Sequence, residues 1–298
     1  MQEININGYI ITDELKSDNA GNSVWGFAFK DGKKYFIKQL KETYYDIPYD
    51  EATEFQKEYI EASNRFYNRM SRLFSLLNES DNGNLVVPIK FIKKDGHYYV
   101  VSEWIEQFSD FSEIKGFTEF QKYLMMKILA YSIYGLAENN IVHCDLKPDN
   151  IRIKDTISKA RTLKIIDFDN GFIQGEYPDM IGGSQNYMAP EVFIRMGQDE
   201  EGLDEKIDIT PKADIFSLGI IYHEILTGEL PKSCDSNFPY IGVAVGHGIQ
   251  IELNDKLSIE YVDLIKSMIS LEPDDRPDAL EVFNILRSID PLKLSNKQ

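Results

Sequence analysis

One stretch constrains this 298-residue chain more than any other. Residues 143–150 read His-Cys-Asp-Leu-Lys-Pro-Asp-Asn, a polar loop set between apolar segments, and Asp167 follows 17 residues after Asn150 at the end of the apolar run Leu163 to Ile166. A fold that accepts this pattern must support a carboxylate (Asp145), an ammonium (Lys147), a carboxamide (Asn150) and a second carboxylate (Asp167) on loops between buried strands. Oxygen ligands from one Asp and one Asn suit magnesium, which takes few protein ligands and completes its shell with phosphate oxygens and water. The remaining Asp can accept a hydroxyl proton, and the Lys can balance charge on a moving phosphoryl group.

The flanking sequence sorts into a β-rich first part and a mainly helical second part. Tyr9-Ile10-Ile11, Trp25 to Phe29 and Lys33 to Leu40 read as strands, the last two joined by a turn at Asp31-Gly32. From Tyr49 to Leu77 there is neither Pro nor Gly, and Phe55, Tyr59, Ala62, Phe66, Met70, Leu73 and Leu77 recur at helical spacing. Two more strands, Leu85 to Ile92 and Tyr98 to Trp104, flank a turn at Asp95-Gly96. Thr118 and Gln121 form a capping box for a helix running to Asn139. Asn150 to Ile153 and Leu163 to Ile166 read as strands, Phe216 to Leu226 and Ile259 to Leu271 as buried helices, and Pro277 as the start of a last helix. Gln198 to Asp208 carries six acids against Lys206 alone and reads as a solvated loop.

Lys and Arg total 32 against 49 Asp and Glu, a net charge of −17. That balance argues against nucleic-acid backbones and anionic lipid surfaces as partners. Cys144 and Cys234 make no disulfide framework, and the first residues lack the basic-then-apolar layout of a signal peptide. With no apolar run near the roughly 20 residues a span requires, the expectation is a cytoplasmic chain without a membrane segment.

In its ordered motifs the sequence resembles the eukaryotic-type protein kinase family over roughly residues 9 to 290. Asp145, Lys147 and Asn150 match its catalytic loop and Asp167 its magnesium-binding Asp. Tyr35-Phe36-Ile37-Lys38 matches the strand whose Lys holds the α- and β-phosphates. Tyr187-Met188-Ala189-Pro190-Glu191 matches the end of the activation segment, and Asp214 to Gly219 the helix whose Asp anchors the catalytic loop. Arg276 matches the expected buried partner of Glu191, and Ser184 the Thr position that contacts the loop Asp and Lys. The resemblance implies a two-lobed α+β fold, with a β-rich lobe carrying one long helix at 1–104 and a helical lobe at 105–298. It implies ATP and Mg2+ as cofactors and transfer of phosphoryl groups to Ser/Thr hydroxyls of protein substrates. Asp145 is then the base, Lys147 and Lys38 assist, and Asn150 and Asp167 hold metal. Ser102 falls at the gatekeeper position, with Glu103 and Ile105 offering main-chain hydrogen bonds to adenine. Small-molecule kinases of the aminoglycoside and choline type share the Asp-to-Asn spacing and often an Asp-Phe-Asp run, and an ATP-binding pseudokinase scaffold is a third reading.

Departures from the family pattern are informative. In the glycine-rich loop, between Asp18 and Trp25, Gly21 alone survives; Ala20 and Ser23 are small enough to substitute in part, and Val24 or Trp25 would cap adenine. Glu54, Glu58 and Glu61 are all spaced to pair with Lys38, with Glu58 preferred. Asp169 replaces the Gly after Asp167-Phe168, implying a stiffer segment. This residue and the sparse glycine loop suggest a non-animal source, such as a bacterium. Cys144 replaces the Arg that normally reads a phosphorylated activation segment, and from Phe168 to Gly183 there is no Ser or Thr, only Tyr177. The expected consequence is activity without phosphorylation there. His143 is expected to brace the loop and Phe168. The acids of 198–208 look like an insertion beside the peptide-binding platform and suggest a preference for basic residues near the phosphoacceptor.

Overall fold

The structure is a computed structural model that describes residues 4–17, 23–105, 108–155 and 161–289. It contains two compact units, Met1–Glu79 with Val86–Glu106 and Ser80–Leu85 with Gln107–Gln298. The short 80–85 stretch belongs to the second unit because its backbone is tied there: the Ile165 N–H donates to the Asn84 carbonyl at 2.8 Å, and Leu85 bridges to Ile165. Among the described residues no helix is long and apolar enough to cross a membrane.

The first unit is a six-stranded antiparallel sheet of β1 (Ile4–Ile6), β2 (Tyr9–Ile11), β3 (Val24–Lys30), β4 (Lys33–Thr43), β5 (Pro88–Lys94) and β6 (His97–Glu103), in the order β1-β2-β3-β4-β6-β5. Alternation sets the register: Ala28, Ile37 and Val101 sit on one face and, with Ile6, Ile11 and Ile92, build its core. Helix α1 (Glu54–Ser80) turns Met70, Leu73, Phe74 and Leu77 inward at spacings of three and four. It begins five residues later than the start of the Pro- and Gly-free run at Tyr49. Tyr49–Glu51 forms a single 3-10 turn, and Thr53 caps the true start, its Oγ1 accepting the Gln56 N–H at 3.3 Å while Gln56 Oε1 accepts the Thr53 N–H at 2.9 Å.

The second unit is helical with short ladders. After β7 (Phe108–Ser109), α2 (Glu119–Ala137) opens on the Thr118–Gln121 capping box. Then come β8 (Ile141–Val142), β9 (Ile151–Asp155), β10 (Arg161–Ile165), β11 (Phe172–Ile173), α3 (Pro190–Glu200), α4 (Lys212–Thr227), β12 (Lys232–Ser233), α5 (Ile241–Gly246), β13 (Ile251–Glu252), α6 (Ile259–Met268) and α7 (Ala279–Ser288). Helix α4 is buried nearly all round, from Ala213 to His223, as a helix without a polar face must be. It lies tight on α6, for a Cβ at Gly219 would stand 2.9 Å from Met268 and Ile269. The last helix starts not at Pro277 but at Ala279, capped by the side chain of Asp278.

Two corrections to the expected elements stand out. Helix α3 takes in Gln198, Asp199 and Glu200, so the acidic stretch begins as helix, not loop. Asp199 is not solvated either, its side chain being 2% exposed. Glu191 and Arg276 do meet as expected: Nη1 and Nη2 reach the two carboxylate oxygens at 2.6 and 2.8 Å, while Arg276 also donates to the Ser270, Leu271 and Lys212 carbonyls. Fully hydrogen-bonded, the guanidinium is tolerable in the interior.

His223, inside α4, donates from Nδ1 to the Glu229 carbonyl at 2.8 Å and accepts the Asn254 N–H on Nε2 at 3.0 Å. Burial pushes its pKa below 6.5 against the opposing pull of Glu229 and its carbonyl. The unfolded chain therefore takes the proton first as pH falls below 6.5, and stability drops. Urea titrations at pH 7 and pH 5 should show wild type losing more stability than His223→Gln; equal losses would exclude the effect.

Candidate functional site

In the second unit the 143–150 loop is held from below by α4. The Asp214 carboxylate accepts the His143 N–H at 2.7 Å and the Cys144 N–H at 3.0 Å. Burial pushes the Asp214 carboxyl up, with His143 and the two N–H donors pulling the other way. Cys144 adopts φ +63°, a left-handed conformation that a non-glycine residue keeps only when its surroundings impose it. Burial also drives its thiol pKa well up, with Asp214 adding to the effect, so Cys144 is an inert structural residue here.

His143 lies beneath the loop. Its Nε2 donates to the Ile166 carbonyl at 3.2 Å, its Nδ1 accepts the Asp145 N–H at 3.4 Å, and its ring packs on Phe168 with centroids 4.8 Å apart. It thus braces both the loop and Phe168. At the surface of the loop, Asp145 Oδ2 accepts from Lys147 Nζ at 2.9 Å and from Asn150 Nδ2 at 3.3 Å. Asp145 Oδ1 is buried and has no partner among the described residues. Asn150 Nδ2 also donates to the Asp145 carbonyl at 2.8 Å, which turns the amide so that Oδ1 is the oxygen left for a cation. Lys147 Nζ reaches on to Ser184 Oγ at 2.7 Å. Asp145, Lys147, Asn150 and Ser184 are therefore brought together, as the family resemblance implies.

Asp167 follows β10, exposed and at φ +64°. Phe168 beside it is buried, and Asp169 is half-buried. Contacts that the motifs did not anticipate complete the arrangement. Gly183 passes so close to the loop that a Cβ there would lie 2.4 Å from the Cys144 carbonyl oxygen, which only glycine permits. Ser217 Oγ donates to the Tyr187 carbonyl at 2.8 Å. Tyr187 donates its hydroxyl to Glu224 at 2.8 Å; burial raises both their pKa values, and the Glu224 charge adds to the rise at Tyr187. The adjacent pair Gly182-Gly183 is the sequence signal that could have marked the first of these.

In the first unit Lys38 lies on β4, paired in register with Trp25 on β3 and Val100 on β6. Ser102 is buried on β6, Glu103 points to solvent at the strand end and Ile105 is buried. Glu58 is exposed and makes no ion pair among the described residues, Glu54 pairs with Lys57 at 2.8 Å, and Glu61 accepts the Tyr49 hydroxyl at 2.5 Å. Of the sparse glycine loop, residues 18–22, with Ala20 and Gly21, lie outside the described residues, while Ser23 is buried and Val24 and Trp25 open β3.

The family described as "Protein kinase domain" matches residues 53–285, most of the chain. The chain belongs to that family. Among similar proteins, the serine/threonine-protein kinase atg1 of Dictyostelium discoideum is 31% identical over 221 residues, covering 72% of this chain and 29% of that protein. The Raf homolog serine/threonine-protein kinase of Caenorhabditis elegans is 32% identical over 219 residues, 67% of this chain and 25% of its own length. Sperm motility kinase 3A of Mus musculus is 26% identical over 222 residues, 72% of this chain and 41% of that protein. The chain thus spans less than half the length of these relatives.

The Asp214 contact yields a direct test. Asp214→Ala leaves the buried His143 and Cys144 N–H groups without acceptors, at about 1–3 kcal/mol each. Asp214→Asn keeps one good acceptor and should cost roughly half as much. Urea midpoints of the two variants should differ in that order; an Ala variant as stable as wild type would refute the anchoring role.

Proposed function

We propose that this chain is a protein serine/threonine kinase that transfers the γ-phosphoryl group of ATP to Ser or Thr hydroxyls. The observation that carries this reading is the Asp145 carboxylate, with Oδ2 held by Lys147 and Asn150 and Oδ1 without a partner among the described residues. A carboxylate with one oxygen fixed and the other unpartnered keeps the capacity to accept a proton. The substrate hydroxyl proton passes to Asp145 as the hydroxyl oxygen bonds phosphorus and the bond to the departing ADP breaks. Lys147 carries positive charge beside Asp145 and Ser184, suited to the phosphoryl in transit. The names of the relatives, serine/threonine kinases in two of the three cases, support the same substrate class.

The donor set fits a divalent ion. Asn150 Oδ1 is the free amide oxygen, and Asp167 is an exposed carboxylate. Two such oxygens are few, which suits Mg2+ with phosphate and water completing its shell. When bound, Mg2+ neutralises charge on the phosphates. Lys38 is the residue for the α- and β-phosphates, with Glu58 as its preferred carboxylate and Glu103 and Ile105 as main-chain adenine contacts; Gly21 belongs to the phosphate-covering loop. Transfer proceeds without activation-segment phosphorylation, because Cys144 stands in place of the Arg that reads a phosphate and no Ser or Thr to carry one is present from Phe168 to Gly183.

Protein made without other kinases, and phosphate-free by mass spectrometry, should label a protein acceptor from labelled ATP. In it Asp145→Asn should lower transfer by roughly 10²–10⁴-fold, the range for a general base. Labelling of metabolites alone, nucleotide binding without transfer, or activity that appears only after phosphorylation would each overturn the corresponding part.

A preference for basic residues near the phosphoacceptor rests on fewer acids than the sequence suggests. Asp199 is spent inside the protein, whereas Glu200, Glu201, Asp204, Glu205 and Asp208 are exposed. A peptide array should show basic enrichment that falls when those five are neutralised together; no bias in wild type would remove the proposal.

A further inference from the structure

The acid that left the surface suggests how the activation segment is held. Asp199, on the last turn of α3, has its two oxygens engaged differently. Oδ1 accepts Arg195 Nε at 3.1 Å and Lys206 Nζ at 2.7 Å, while Oδ2 accepts the Ile181 backbone N–H at 3.2 Å. Arg195 donates further to the Ile207 carbonyl at 2.8 Å and stacks 4.3 Å over the Tyr177 ring. The Tyr177 hydroxyl in turn accepts the Ile209 N–H at 3.2 Å, and Gln174 Nε2 donates to Asp208 at 2.7 Å. Residues 174, 177 and 181 of the activation segment are thus each fastened to the 195–209 stretch. Burial alone would raise the Asp199 pKa, but Lys206, Arg195 and the Ile181 amide outweigh it and hold the carboxyl below its usual range. The carboxylate therefore stays charged.

We propose that Asp199 is a positioning residue: with Arg195 and Lys206 it forms an internal clamp that fixes the 174–181 segment permanently, in place of a phosphate added to that segment. The logic is that of a phosphate read by cations, run inside the chain. With both cations on Oδ1, Oδ2 is left to take the Ile181 backbone N–H as its partner. Two residues further on, Gly183 lies against the Cys144 carbonyl, and Ser184 holds Lys147 beside Asp145. Order at Ile181 is therefore passed to Lys147 through four residues of chain. The extra length of the 198–208 stretch has a use on this account: it returns Lys206 and Ile207 to the Asp199–Arg195 pair. This proposal rests on the kinase reading above for its effect on transfer, but the clamp has its own readout.

The test uses the full chain. In Asp199→Asn, hydrogen exchange at the Ile181 amide should speed up by roughly tenfold or more, as for loss of a charge-assisted hydrogen bond. The turnover number on a protein acceptor should fall about tenfold by the same loss, while affinity for a fluorescent ATP analogue stays within about twofold because the first unit is untouched. Lys206→Met, whose lysine is partly exposed, should move both readouts in the same direction and less, and serves if Asp199→Asn does not fold. Unchanged exchange at Ile181 in the folded variant overturns the clamp. Faster exchange with unchanged turnover overturns its positioning role. A wild type that transfers nothing defeats the kinase reading alone, and exchange at Ile181 then decides the clamp by itself.

Discussion

The second unit depends on one buried anion bound by uncharged donors. Asp214 is 1% exposed and sits in a helix with no polar face, so its carboxylate is tolerable only if something solvates it. The something is backbone: the N–H groups of His143 and Cys144. That demand aims two successive amides inward and forces Cys144 to φ +63°, a conformation whose cost of about 1–3 kcal/mol these bonds offset. With the backbone so turned, Asp145 emerges on the opposite side of the chain and meets Lys147 and Asn150. The loop makes little apolar contact of its own beyond Leu146 and Cys144. Its geometry is borrowed from the helix beneath it.

Much of this could be read from sequence, and the failures have physical causes. Helix α2 follows its capping box, α6 its apolar run, and the hairpin of β3 and β4 its strand pattern around the Asp31-Gly32 turn. The loop residues 143–150 were legible in their residue types, and the Glu191–Arg276 pair through the resemblance to the kinase family. The start of α1 was misplaced because the run without Pro or Gly extends back to Tyr49, while the backbone obeys the Thr53–Gln56 cap. Composition misled most at Asp199. Six acids in eleven residues look like a solvated loop, yet an acid four residues after an Arg on a helix has a partner waiting on the same face. Gly183 was marked only by its place in the Gly182-Gly183 pair, because its need for no Cβ arises from a carbonyl 39 residues earlier in the chain.

The net charge of −17 therefore hides three carboxylates taken out of water, each tying one stretch to another. Asp214 binds a loop through amides, Glu191 binds Arg276 across 85 residues, and Asp199 binds the activation segment through two cations and an amide. Segments rich in Gly, Asn and Asp cannot anchor themselves by burying apolar surface, since they have little to bury. Directional bonds to fixed helices do that work instead.

The choice of counter-group is not neutral. Asp214, bound by dipoles, has its pKa raised by burial, whereas Asp199, bound by Lys206 and Arg195, has its pKa lowered despite burial. Of the two, Asp214 gains a proton first as pH falls, and a carboxylic acid keeps one good acceptor where the anion had two. Acid thus loosens the loop that carries Asp145 before it touches the clamp on Ile181. Neutral donors hold the loop without bringing a permanent positive charge next to Asp145, which already faces Lys147. A cation in place of the amides would compete with Lys147 for the Asp145 carboxylate, so the weaker and more acid-sensitive anchor is the one compatible with the Lys147–Asp145 pair.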